Sequence, residues 1–104
     1  MTDIKLVYIT IENHSDALEM AQHLVKEDFV ACVNILDKMT SVYKWQGDVQ
    51  VTGEVVLIAK VSRKKTEALI TEITRLHKYE MPCAIVLPIE HGTKKFISWV
   101  KGED

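Results

Sequence analysis

Residues Ala31–Val61 read ACVNILDKMTSVYKWQGDVQVTGEVVLIAKV, and this stretch decides the fold. Its first half, Ala31 to Trp45, is built from strand-forming types, with Val33 and Ile35 alternating early and Val42, Tyr43 and Trp45 late. Asp37-Lys38 in the middle interrupts that pattern and predicts a bend or bulge. Gln46-Gly47-Asp48 makes a tight connection, after which Val49 to Val61 resumes as a second long extended run. Two such runs on either side of a short turn pair most economically as an antiparallel hairpin, a long one for 104 residues.

Working outward, Ile4 to Ile11 is rich in Ile, Val, Leu, Tyr and Thr and predicts a first strand. Ser15 and Asp16 supply a cap and a first-turn acid. Ala17, Leu18, Ala21, Leu24 and Val25 then recur at helical spacing, giving a helix over about Asp16 to Glu27. Beyond the hairpin, Leu69, Ile70, Ile73, Leu76 and His77 share one face of a helix starting near Ser62 or Arg63, and Pro82 prevents its continuation. Cys83 to Leu87 predicts a fourth strand. Phe96, Ile97, Trp99 and Val100, between Gly92 and Gly102, predict a short amphipathic helix. The order β-α-β-β-α-β plus a C-terminal helix is α+β and ferredoxin-like, a single domain over residues 1–104.

In that plan two helices cover one sheet face, and the other should turn polar in a monomer. Val55-Val56-Leu57-Ile58-Ala59 and Cys83-Ala84-Ile85-Val86-Leu87 are apolar on both faces, so the sequence predicts a homo-oligomer with sheets facing inward. A formal charge of −2, from 13 basic and 15 acidic residues, gives no broad positive field and argues against nucleic-acid binding. The N-terminus has no secretory pattern, no apolar run reaches the ~20 residues of a membrane span, and Cys32 and Cys83 lack Cys-x-x-Cys spacing. A reduced, cytoplasmic chain with no membrane partner is the expectation.

Ala31-Cys32-Val33-Asn34-Ile35, Ser41-Val42-Tyr43-Lys44-Trp45-Gln46-Gly47, Glu54 with Lys60, His77-Lys78-Tyr79-Glu80-Met81-Pro82, and Leu87-Pro88-Ile89 through Trp99 together resemble the CutA divalent-cation tolerance family. The resemblance runs nearly end to end. It implies a ferredoxin-like homotrimer connected to tolerance of copper and other divalent metals, with no firmly attached reaction. Three sheets would pack about a central axis, with the long hairpins exchanging contacts between neighbours. Metal-binding members of the family carry a cysteine in the first strand and a histidine pair before a Pro-Tyr step. Here those positions hold Ile9, Leu76 and His77, so one of three ligands remains.

The candidate site residues follow from chemistry and from that resemblance. Cys32 is a soft ligand for copper or zinc, or a small packed residue. His77 ends the second helix either as a cap or as a metal ligand. The family positions matching Glu54 and Lys60 cluster near an intersubunit cleft, which makes both, with Tyr79 and His77, candidates for a ligand pocket. Tyr43, Trp45 and Trp99 are candidates for the trimer interface. His14, beside Glu12 and Asp16, reads as solvated more readily than as a surface metal site. His23 and His91 have no partner at ligand spacing and read as surface residues. Arg63-Lys64-Lys65 opens the second helix, where an exposed basic corner is a simpler reading than an anion-binding terminus. No Ser-His-Asp or paired-carboxylate constellation is legible. The functional expectation is binding without catalysis and without an organic cofactor: copper(II) or another divalent cation, or else a small molecule sensed in the clefts between subunits.

Overall fold

In the computed structural model, which describes residues 1–103, the expected elements follow one another as β1 (Ile4–Ile11), α1 (His14–Lys26), β2 (Cys32–Trp45), β3 (Asp48–Ser62), α2 (Thr66–Leu76), β4 (Ala84–Pro88) and α3 (Lys94–Lys101). The strands form one antiparallel sheet in the order β2-β3-β1-β4. This is the ferredoxin-like arrangement, with β2 and β4 at the edges.

Period-two alternation builds the core. Val7, Ile9 and Ile11 of β1 stand opposite Ala59, Leu57 and Val55 of β3, all on one face. They close under Ala17, Met20, Ala21 and Leu24 of α1 and Leu69 and Ile73 of α2, which recur at helical spacing. Each large aliphatic side chain buried here contributes roughly 1.5–3 kcal/mol before the ordering entropy is subtracted. On the opposite face, Leu36 of β2 and Ile85 and Leu87 of β4 are 49%, 53% and 40% exposed. That face is apolar and uncovered within one chain, as the two-sided strands predicted.

The element ends differ from the sequence reading for local reasons. Helix α1 begins two residues earlier than expected because Asn13, not Ser15, is its N-cap: Asn13 Oδ1 accepts from the Asp16 N–H at 2.8 Å. Residues Arg63–Lys65 form a 3-10 turn that leads into α2, instead of its first α-helical turn. β4 is displaced by one residue and ends on Pro88, which a short edge strand tolerates.

The hairpin closes through Gln46 and Gly47, both at positive φ (51° and 87°), the handedness that matches the twist of the flanking strands. The expected irregularity at Asp37-Lys38 is a one-residue bulge: Leu36 pairs with Val56 but Met39 pairs with Glu54, and Lys38 sits at φ 60°. Beyond it Val42, Val49 and Val51 lie on one face of an arm and are each about two-thirds exposed.

Helices α1 and α2 are tied by a polar clasp. His23 Nε2 lies 2.5 Å from Glu72 Oε2, and Arg75 donates to both Glu72 oxygens from one turn later. His23 is therefore not the partnerless surface residue expected from local spacing; its partner is 49 positions away. The hydrogen bonds from Arg75 and then His23 hold the Glu72 carboxyl down at about 2, against an ordinary 4.5, despite a side chain only 13% exposed. A depressed carboxyl stabilises the fold above its unfolded-state value and loses that contribution as pH falls toward its folded value. Glu72→Gln should therefore lower the thermal midpoint at neutral pH, with the deficit shrinking from pH 4.5 downward and gone by about pH 2. A deficit that persists undiminished at pH 2 contradicts the clasp.

Candidate functional site

The site lies at the base of the hairpin arm, where the chain leaving α2 crosses the end of β1. Helix α2 stops at His77, whose backbone turns extended while its N–H still reaches the Ile73 carbonyl. The His77 ring is buried. Its Nδ1 accepts from the Tyr79 N–H at 3.1 Å, which leaves Nε2 to carry the proton and donate to the Thr10 carbonyl at 2.7 Å. Both ring nitrogens are thus in use, and a cation approaching this imidazole would have to displace one of these bonds.

Tyr79 packs its ring against His77, with centroids 4.6 Å apart, and its hydroxyl donates to Glu54 Oε2 at 3.0 Å. Burial, followed by the carboxylate of Glu54 and more distant charge at Glu12, pushes the phenol well above its ordinary value. Tyr79 stays a donor and Glu54 an acceptor. Glu54 is placed by the bulge, since it is the first β3 residue to pair beyond it, opposite Met39. Met39 in turn receives the Tyr8 hydroxyl at its sulfur, 3.5 Å away.

Within one chain Glu54, Tyr79 and His77 come together, while Lys60 lies apart from them. Six residues along β3 amount to about 20 Å, and Lys60 Nζ donates to Asn34 Oδ1 of β2 instead. Cys32 stands directly opposite Lys60 at the start of β2. Lys60 pairs in turn with Leu6, whereas His77 bonds Thr10, four residues further along β1 and on the order of 13 Å away. Cys32 and Cys83 are free thiols, both partly exposed. Among the described residues no group of three or more His, Cys, Asp or Glu side chains is arranged to hold a metal ion. Tyr43 and Trp45 project from the arm and Trp99 from α3, where it packs on Phe96 at 5.8 Å; all three are substantially exposed.

Sequence reasoning missed the groups that frame this site. His14, expected to be solvated, has Nδ1 2.7 Å from Asp37 Oδ1, tying the start of α1 to the bulge. Lys78 Nζ reaches Asp16 Oδ1 at 3.2 Å and fastens the crossing loop to α1. The adjacency of Glu12 to Glu54 was readable once the strand pairing was known, because the β1–β3 register ends at Ile11 and Val55. The arrangement is a hydrogen-bonded cluster at a strand end, in which Tyr79 donates to Glu54 and both His77 nitrogens are engaged.

The Tyr79–Glu54 pair has a spectroscopic signature. In an ultraviolet titration of the three tyrosines, one should ionise well after the others, and Tyr79→Phe should delete that late step. Glu54→Gln should move it down only in part, since burial is the larger cause. Loss of the hydroxyl in Tyr79→Phe should cost about 1 kcal/mol of stability. A late step unaffected by Glu54→Gln would contradict the pairing.

Comparison with known proteins identifies a family and a shared fold. Residues 5–103 match the family described as CutA1 divalent ion tolerance protein. The Arabidopsis thaliana protein CutA, chloroplastic, is 38% identical over 96 residues, which are 92% of this chain but 53% of the plant protein. The Thermus thermophilus divalent-cation tolerance protein CutA is 34% identical over 97 residues, 93% of this chain and 94% of its own. This chain thus spans about half the length of the plant relative and nearly all of the bacterial one. Among solved structures, CutA1 from Oryza sativa superposes with a TM-score of 0.94 at 34% identity, covering 98% of this chain and 94% of that one. The PII-like protein CutA from Nostoc, in its apo form, superposes at 0.89 with 35% identity, covering 95% of each chain. With the family match over almost its whole length and the same sheet and helices, this chain belongs to the CutA1 divalent ion tolerance family.

Proposed function

We propose that this chain works as a homotrimer in tolerance of divalent cations, copper(II) foremost, by binding ions and without catalysing a reaction. Membership of the divalent-cation tolerance family carries the reading. Its physical support is the uncovered apolar sheet face of Leu36, Ile85 and Leu87, together with the valine face of the arm. Tyr43 and Trp45 on the arm and Trp99 on α3 then become interface side chains, with large apolar surfaces and polar tips. In a trimer every ligand occurs three times, so Cys32 and, by giving up one of its two ring hydrogen bonds, His77 can each contribute to a site between copies although they stay apart within one chain. Thiolate and imidazole suit both copper and zinc, and in the usual affinity order a given site binds copper(II) more tightly than zinc. The cluster around Tyr79 holds no activated nucleophile, because both His77 nitrogens are bonded and the phenol is kept protonated. We place the protein in the cytoplasm, where its two unpaired thiols stay reduced. Among the described residues no helix is long and apolar enough to cross a membrane.

A second reading, a small-molecule sensor with its ligand in the clefts between subunits, is favoured by the Glu54–Tyr79–His77 cluster at the arm base. Lys60 would take part in such a cleft only if a neighbouring copy brought it there.

Native mass spectrometry of the metal-free protein titrated with copper(II) and with zinc tests both. The expected result is stoichiometric copper on an assembly of three chains, reduced at least tenfold in Cys32→Ala or His77→Ala with the assembly intact. An intact assembly that retains no ion overturns direct metal binding. A saturable thermal shift with a metabolite, lost in Glu54→Ala, would then establish the sensor reading.

A further inference from the structure

His77 is held by two backbone groups whose roles cannot be exchanged. The Tyr79 N–H can only donate and the Thr10 carbonyl can only accept, so Nδ1 is bare and Nε2 carries the proton. The residue is 8% exposed, and the Tyr79 ring lies against its imidazole. Thr10 belongs to β1, where it pairs with Val56 of β3, and its own N–H donates to the Cys83 carbonyl. Tyr79 instead lies in the loop that joins α2 to β4. Of the two partners of His77, Tyr79 is the one outside the sheet and so the one able to give way.

A cation on either ring nitrogen breaks the Tyr79 bond. On Nδ1 the ion would sit about 2 Å from the nitrogen, in the space now filled by the Tyr79 N–H, whose nitrogen is only 3.1 Å away. On Nε2 it would displace the Thr10 carbonyl and leave the ring proton on Nδ1, where it would face the Tyr79 N–H. Two N–H groups pointing at each other form no hydrogen bond. The two routes differ in what is lost at Thr10, but both cost the contact to Tyr79.

We propose that capture of a divalent ion by His77 unlatches Tyr79 and frees the carboxylate of Glu54, so that the loop between α2 and β4 transmits ion occupancy to the base of the arm. This coupling rests on the reading of His77 as a metal ligand and adds the way in which its occupancy is passed on. Tyr79 spans the relay, its N–H held by His77 at 3.1 Å and its hydroxyl donating to Glu54 at 3.0 Å. A backbone shift that clears the ion carries the side chain with it, and Glu54 loses its donor. Glu54 is the first residue of β3 to pair beyond the bulge, opposite Met39, so the change is felt where the arm begins. Tyr79 is a positioning residue here, not a ligand. The coupling is reciprocal: the affinity an ion loses by breaking the Tyr79 contacts is recovered in a variant that lacks one of them.

The test is a titration of the full chain with zinc, a diamagnetic probe, followed by NMR and by calorimetry, with magnesium at matched ionic strength as control. The expected result is saturable zinc binding that is lost in His77→Ala, with the Tyr79 amide and ring resonances moving together with those of the His77 ring. Tyr79→Phe keeps the amide and removes the bond to Glu54, and it should bind zinc about fivefold more tightly, the worth of one net hydrogen bond. Affinity unchanged in Tyr79→Phe marks a tyrosine that only packs, and weaker affinity marks a hydroxyl that ligates the ion; either overturns the proposal. His77-dependent binding with an unmoved Tyr79 amide also overturns it, while leaving the metal reading standing. Zinc uptake that is absent, or that survives in His77→Ala, overturns His77 as a ligand and the coupling with it.

Discussion

One extra residue in β2, inserted between Leu36 and Met39, sets the geometry on which the rest depends. Before the bulge, even-numbered residues of β2 oppose even-numbered residues of β3, and Val33 and Ile35 turn inward beneath α1. Beyond it the parity reverses: Met39, Ser41, Tyr43 and Trp45 oppose Glu54, Thr52, Gln50 and Asp48 on the face away from the helices. Because side chains alternate with period two, an unbroken register would send each arm residue to the opposite face. The bulge therefore lets one strand serve a packed core at its base and a differently faced arm beyond. His14 on Asp37 and Tyr8 on Met39 hold it from both sides.

The candidate site follows from the same kink. Glu54 sits where β3 first pairs with β2 after the bulge, and the loop from α2 crosses at that level. Thr10 at the end of β1 offers a carbonyl to His77, His77 orients the Tyr79 backbone, and Tyr79 closes on Glu54. Each hydrogen bond orients the residue that makes the next. The chain of contacts needs β1, β3 and the α2–β4 loop at once, so it cannot form until the sheet is assembled.

How much of this was legible in the chain depends on whether a signal was local. The strands and helices were readable because their apolar periods are long and unambiguous, and Asp37-Lys38 marked the bulge by interrupting a strand pattern. Helix ends were less readable: Asn13 and Ser15 are both good caps, and only the observed bond to the Asp16 N–H separates them. Partners set by tertiary packing were not legible. His14 and Asp37 are 23 residues apart, and His23 and Glu72 are 49 apart. Glu54 and Lys60 share a face of β3, as their even spacing implies, and the Asn34 partner of Lys60 on the neighbouring strand was not legible.

A ferredoxin-like sheet with helices on one side only, and with Leu36, Ile85 and Leu87 turned outward on the other, is a fold still lacking a cover. Burying such a face returns roughly 25 cal/mol per Å² of apolar area, against which the cost of association is set, and this is the physical basis of the proposed trimer. The arm carries a further valine surface outside the sandwich. Together these make the trimer the central claim. Sedimentation equilibrium of the metal-free protein across micromolar to nanomolar concentrations tests it directly: the account predicts a single species of three times the 11.9 kDa chain mass, unchanged on dilution. A species of one chain mass at micromolar concentration would contradict it.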